Sequence, residues 1–368
     1  MNGGTSVLND KPQCVWLCSY TPVELIHAAG FEPIRLIPDR AGGPRADSLL
    51  PRRFCTYVRA CLERRPVNQP AMVSAICCDS LRRLADVAPI VLPISLPRTP
   101  DGQSTPEQVT YLALELKRTW GRLHRLLGKD EPSQKESASL IRASIEKYRR
   151  VRQKILQIQR LAYSGEVSFS SAFSVATQVL AHPPEESSPP AEFQGPAPSR
   201  GKSQIGLLLA GANLLDGGLI ALVEEAGGRI LDVDCCNWNR FNLFDPAQTD
   251  ETSPPESSSL DEVLYWLAES YLKRHPCPRQ TTAIHRARLL AERARKVGVR
   301  GVIFFVPKFC DVGLYEGPVF KRYLDSLSIP CLVVEIDYGY GDSGQARTRV
   351  EAFLEMLEAK AGCAIACS

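Results

Sequence analysis

The chain has 368 residues, 44% hydrophobic and 23% charged, with a formal net charge of +3. A charge that small does not point to nucleic acid, and no apolar run is long enough to span a bilayer. The length exceeds what one hydrophobic core commonly supports, so about two or three domains are expected. The opening residues carry no basic flank ahead of an apolar core, so the expected location is the cytoplasm.

From the N-terminus, "QCVWLCSY" reads as a short buried strand ending near Cys18. "TPVELIHAAG" follows as a helix, with Thr21 as N-cap, Pro22 in the first turn and Glu24 completing a T-x-x-E capping box. Gly30 ends it, and "EPIRLIP" is the next strand. "AMVSAI" is a buried strand followed by Cys77, Cys78 and Asp79, then a helix, and "APIVLPI" is a fourth strand. Residues 1–103 therefore read as an N-terminal αβ lobe with a parallel sheet.

Residues 104–181 change period: three helical stretches follow with no strand signal, so this is an all-helical insert. The basic run "IRASIEKYRRVRQKILQIQR" within it reads as a solvated helix face. Residues 182–203 are a Pro/Ser-rich linker. Strand grammar returns over 204–368, the C-terminal αβ lobe. "QIGLLLAG", "RILDVD", "GVIFFVPKF" and "IPCLVVEID" are its strands, and "QARTRVEAFLEMLEAKA" is the closing helix. "GYGDSGQARTR" is a glycine-rich turn able to cradle a phosphate or to cap that helix. "AICCDSLRRL" and "PKFCDVGLYEG" hold matching places in the two halves. The fold class is thus α/β: two Rossmann-like lobes related as pseudo-repeats, plus the insert.

Thirteen cysteines stand beside five histidines. With no export signal, a disulfide framework is not expected. Any one cysteine is more often a small buried hydrophobe, which accounts for Cys331, Cys363 and Cys367. The only C-x₃-C spacings are Cys14/Cys18 and Cys363/Cys367, so zinc has little support. Position singles out six others. Cys18, Cys78, Cys236 and Cys310 fall at the carboxyl ends of strands, where open parallel sheets bind ligands. Cys55 and Cys277 fall at loop-to-helix junctions on the same edge. If the lobes face each other, six thiols converge beside helix N-termini, an environment that favours thiolates and an iron–sulfur cluster. Asp79 and Asp311 read as helix caps rather than acids.

"CSYTPVELIHAAGFEPIRL", "CCDSLRRL", "VPKFCDVGLYEGPVFKRYLDSLSIPCLVVEIDY" and "GQARTRVEAFLEML" resemble the 2-hydroxyacyl-CoA dehydratase D-component family. That family also includes benzoyl-CoA reductase subunits and the double-cubane cluster proteins. The resemblance implies two Rossmann-like lobes with a cluster between them and a separate ATP-hydrolysing iron–sulfur activator protein. For a dehydratase subunit it implies one 4Fe-4S cluster on Cys55, Cys78 and Cys310. For the double-cubane branch it implies an 8Fe-9S cluster needing more thiols, with Cys18 and Cys277 as additions and Cys236 as the sixth. Dehydratase subunits commonly lack a thiol where Cys18 and Cys277 stand, so the expectation is a double-cubane reductase of small molecules, acting as a homodimer. The alternatives are a dehydratase subunit and a non-catalytic electron carrier. Where the family pattern runs D-x-C-x-G-x-R, this chain reads "DCCNWNR", with Trp238 in the glycine's place. The doublets Cys77/Cys78 and Cys235/Cys236, with Cys14 and Cys61 nearby, leave the sixth ligand open.

Overall fold

A computed structural model describes residues 11–65, 71–88, 91–184, 205–241, 253–274, 276–339 and 344–366. The N-terminal lobe is built on β1 (Gln13–Trp16), β2 (Glu32–Arg35), β3 (Ala71–Ile76) and β4 (Val91–Ser95). They form one parallel sheet in the order β2-β1-β3-β4. Its helices are α1 (Val23–Ala28), α2 (Pro44–Leu49), α3 (Thr56–Arg64) and α4 (Asp79–Val87). Gly30 takes a φ of +102°, which a side chain would resist, and so turns the chain from α1 into β2.

Three helices follow, as the periodicity predicts: α5 (Pro106–Leu126), α6 (Gln134–Ser164) and α7 (Phe169–Ala181). α5 starts at a complete capping box between Thr105 and Gln108. α6 packs on α1, so the insert is joined to the first lobe.

The second lobe repeats the first. β5 (Ile205–Gly211), β6 (Gly228–Asp234), β7 (Gly301–Pro307) and β8 (Cys331–Ile336) form a parallel sheet in the order β6-β5-β7-β8. Between them lie α8 (Gly218–Glu225), α9 (Leu260–Leu272), α10 (Ala283–Val297) and α11 (Asp311–Ser326), and α12 (Gly344–Ala366) closes the chain. One helix, then two, then one connect successive strands in both lobes, so the two units match element for element. All of β7 is buried, which explains why "GVIFFVP" carries no polar alternation.

Three local expectations are corrected. The Thr21–Glu24 capping box does not form: Pro22 precedes α1 with no side-chain cap. Thr21 instead accepts the Ala75 N–H of β3 at 3.1 Å, and Glu24 pairs with Arg152 and accepts from the Tyr271 hydroxyl at 2.7 Å. Both residues are buried, and a buried carboxylate demands a cation that a local cap cannot supply. The same pair corrects the basic run, whose Arg152 is fully buried while Arg149 and Arg150 turn to Glu146 on the surface. Finally, Asp79 and Asp311 are first helical residues, and the capping positions belong to Cys78 and Cys310.

The polar linker over 185–203, residues 340–343 of the glycine-rich turn and Cys367 lie outside the described residues. Among the described residues no helix is long and apolar enough to cross a membrane.

Candidate functional site

In both sheets the chain reverses direction of travel across the sheet next to the first strand, at β1/β3 and at β5/β7. Such switch points open a crevice beyond the carboxyl ends of the strands. Cys18 follows β1, and Cys77 and Cys78 follow β3, so the two loops flanking the first switch point both carry thiols. Cys310 follows β7 and Cys236 follows β6 in the other lobe.

The six predicted cysteines are brought together, with Cys77 as a seventh. The Cys18 and Cys77 sulfurs lie 3.3 Å apart. The Cys77 thiol also hydrogen-bonds with Cys277 and Cys78. Across the crevice the Cys55 thiol donates to the Cys310 sulfur, joining the two lobes. Cys236 is near enough to feel the charges of Cys277 and Cys18. Sequence reasoning left Cys77 out of the six, although the Cys77/Cys78 doublet was its signal. Cys14, Cys61 and Cys331 are buried among apolar side chains, and burial pushes each thiol up to about 12. Cys235 is likewise buried and turns toward Asn237. Among the described residues no three His, Cys, Asp or Glu side chains are grouped to hold a single metal ion. The thiols form a chain of neighbours rather than a knot around one point.

Local structure explains how each sulfur is held. Cys55, Cys78 and Cys310 are the N-caps of α3, α4 and α11, so three helix N-termini present partial positive charge to the crevice. The Cys78 sulfur accepts the Leu81 N–H at 3.4 Å. The backbone of Phe309 takes a φ of +59°, a left-handed geometry unusual for an aromatic residue, and it sets Cys310 at the head of α11. Gly313 lets α11 approach β7: a Cβ there would meet Val306 Cγ1 at 2.7 Å. Its N–H also reaches the Cys310 sulfur. Thr56, next to Cys55, donates to Asp337 at 2.6 Å and binds the Lys308 carbonyl through its N–H at 3.0 Å, clamping the lobes beside the thiols.

The surroundings are cationic. Arg240 pairs with Asp234 at 2.8 Å and donates to the Cys236 sulfur at 3.4 Å. Arg35 donates to the Ser19 hydroxyl at 2.8 Å and to the Cys236 carbonyl at 3.1 Å. Arg274 donates to the Ser19 carbonyl. Arg279 pairs with Asp79 at the rim. The donated hydrogen bond from Cys77 pulls the Cys277 thiol down to about 7, against its burial and with help from Arg240. Cys310 is lowered by the bond from Cys55, which in turn is raised. Burial pushes Cys236 up to about 12 despite Arg240. Among the described residues, buried nitrogens of Arg35, Arg274 and Arg286 have no hydrogen-bond acceptor. A donor set made of thiols, ringed by guanidinium groups and helix N-termini, is suited to an anionic iron–sulfur group.

Trp238 is fully buried. It packs against Phe169 at 4.7 Å between ring centroids and donates to the Tyr163 hydroxyl at 2.8 Å. It thereby ties the Cys235–Cys236 loop to the helical insert.

These features define a two-lobed α/β protein with a thiol-lined crevice at the switch points of twin parallel sheets. Residues 18–357 match the sequence model described as 2-hydroxyglutaryl-CoA dehydratase, D-component, and the chain belongs to that family. It is 23% identical over 359 residues to the (R)-phenyllactyl-CoA dehydratase beta subunit of Clostridium sporogenes, covering 92% of this chain and 90% of that protein. It is 23% identical over 355 residues to the lactoyl-CoA dehydratase subunit beta of Anaerotignum propionicum, with the same coverage of 92% and 90%. A shorter stretch of 63 residues is 40% identical to the (R)-2-hydroxyglutaryl-CoA dehydratase subunit beta of Acidaminococcus fermentans, 17% of each chain.

Proposed function

We propose that this chain is an iron–sulfur reductase of the D-component family that holds a double-cubane 8Fe-9S cluster on Cys18, Cys55, Cys78, Cys236, Cys277 and Cys310. An ATP-hydrolysing activator protein charges the cluster, and a homodimer of the chain reduces small molecules. When bound, such a cluster supplies electrons at low potential. The observation that carries this reading is the reach of Cys18 and Cys277 into the crevice of Cys55, Cys78 and Cys310, through Cys77. The protein's own part is to present thiolates from both lobes, to shield Cys55 and Cys277 from water by burial and to balance charge with Arg240 and the helix N-termini.

A second reading is a subunit of a 2-hydroxyacyl-CoA dehydratase with one 4Fe-4S cluster on Cys55, Cys78 and Cys310. Its support is that these three share one structural role as helix N-caps, and that full-length relatives carry dehydratase names. Iron and acid-labile sulfide per chain after anaerobic purification separate the two. About eight irons fits the first reading and about four the second. Activator-dependent reduction of a small probe such as acetylene distinguishes an enzyme from an electron carrier.

A further inference from the structure

The charges around the thiols do not balance. Arg240 faces Asp234, Arg286 faces Glu316, and Arg293 faces Asp232, so these cations are neutralised in place. Arg35 and Arg274 are different. Both are buried, and among the described residues neither makes an ion pair with a carboxylate. Arg35 lies over Trp16 at 4.7 Å and, among the described residues, bonds to the Ser19 hydroxyl and the Cys236 carbonyl. Arg274 lies over Tyr271 at 3.7 Å and bonds to the Ser19 carbonyl. Glu24 is bonded to Arg152 and also feels the charge of Arg274, so one carboxylate is shared between two cations. Among the described residues, Arg35 Nη1 and Arg274 Nε and Nη2 have no acceptor.

A buried cation without a full counter-charge is costly, and the surplus here sits beside the loop that carries Cys18. Both arginines hold Ser19, the residue after Cys18, and Arg35 also holds the backbone of Cys236. We propose, resting on the iron–sulfur reading above, that Arg35 and Arg274 are the counter-charges of a thiolate-bound iron–sulfur group in this crevice, and that their charge sets how readily it accepts an electron. They are positioning and tuning residues, not ligands. A positive charge beside an anionic centre favours its more reduced, more negative state, so removing that charge drives the midpoint potential down.

The test uses the full chain, purified anaerobically, with Arg35→Gln and Arg35→Lys compared by iron content and by a redox titration followed by electron paramagnetic resonance. Glutamine keeps hydrogen-bonding capacity without charge, and lysine keeps charge with different geometry. The expected result is a midpoint more negative than wild type in Arg35→Gln and close to wild type in Arg35→Lys. Iron lost from Arg35→Gln but kept by Arg35→Lys supports the same conclusion. An unchanged midpoint in iron-loaded Arg35→Gln overturns it, as does equal iron loss from both variants. If the Arg35 variants fail to fold by circular dichroism, Arg274→Gln and Arg274→Lys take their place, with the same outcomes expected. Wild-type chain that binds no iron defeats the iron–sulfur reading itself, a result distinct from a loaded cluster whose potential ignores Arg35.

Discussion

Cys18 and Cys77, separated by 59 positions in the chain, place their sulfurs 3.3 Å apart. They are neighbours because β1 and β3 are neighbours in the sheet, paired through Cys14 with Ala71 and Trp16 with Val73. Parallel strands deliver their carboxyl ends to one edge, so the loops that leave them meet.

That meeting makes iron stoichiometry sensitive to single thiols. Under the double-cubane reading, Cys18→Ala or Cys277→Ala is expected to lose about half of the iron, and under the single-cubane reading none. Colorimetric iron per chain on anaerobically purified variants decides between them.

The doublet after β3 divides in the same way. Cys78 heads α4 and its sulfur faces inward to the helix N-terminus, whereas Cys77 spans between neighbouring thiols. Cys78→Ser is therefore expected to lower iron content, and Cys77→Ser to retain it. Retention by Cys78→Ser and loss by Cys77→Ser would move the ligand one residue along.

Glu24 gives the acid limb of stability a specific source. Burial opposes its ionisation, but Arg152 and Arg274 outweigh burial and hold the carboxyl below its ordinary range. A carboxyl lowered by folding contributes stability above its unfolded value, about 4.3, and that contribution fades as pH falls through the folded value. Glu24→Gln leaves Arg152 buried without its partner and is expected to cost about 3–5 kcal/mol near neutral pH. Thermal melts across pH should show the variant less stable at neutral pH and less steeply dependent on acid.

Trp238→Ala should destabilise the chain by about 3–5 kcal/mol, because it empties a site packed by Phe169, Phe173 and Tyr163. Trp238→Gly is expected to melt lower than wild type for the same reason. A melting temperature at or above wild type would show that the loop does not depend on the insert.

The Thr56–Asp337 bond closes the lobes beside Cys55 and Cys310. Thr56→Val removes a hydrogen bond to a charged acceptor and should cost about 1.5–3 kcal/mol. In metal-free chain the thiols should then react faster with an alkylating reagent, read by mass spectrometry. An unchanged labelling rate would place the clamp elsewhere.

Much of the fold was legible before any coordinates. Strand runs such as "GVIFFVP" and "AMVSAI", the helical period of 104–181 and Gly30 all report local physics, and each element appears where it was expected. Three of the misread residues share one property: they are buried and charged or polar. Thr21, Glu24 and Arg152 looked like a cap and a wet helix face, yet each is drawn inward to a partner far along the chain. Local pattern cannot anticipate a partner 128 positions away, as Arg152 is from Glu24.

The sequence by itself determined the class of the protein: alternating strands and helices in two matching halves, and thiols placed one loop at a time at the carboxyl ends of strands. Which thiols touch, and which arginines stand among them with no carboxylate bonded to them, was decided only by the tertiary structure. The reason is that strand order within a sheet and the closure of one lobe on the other are set by long-range packing. Contacts such as Cys55 with Cys310, or Arg35 with Cys236, exist only once that packing is complete.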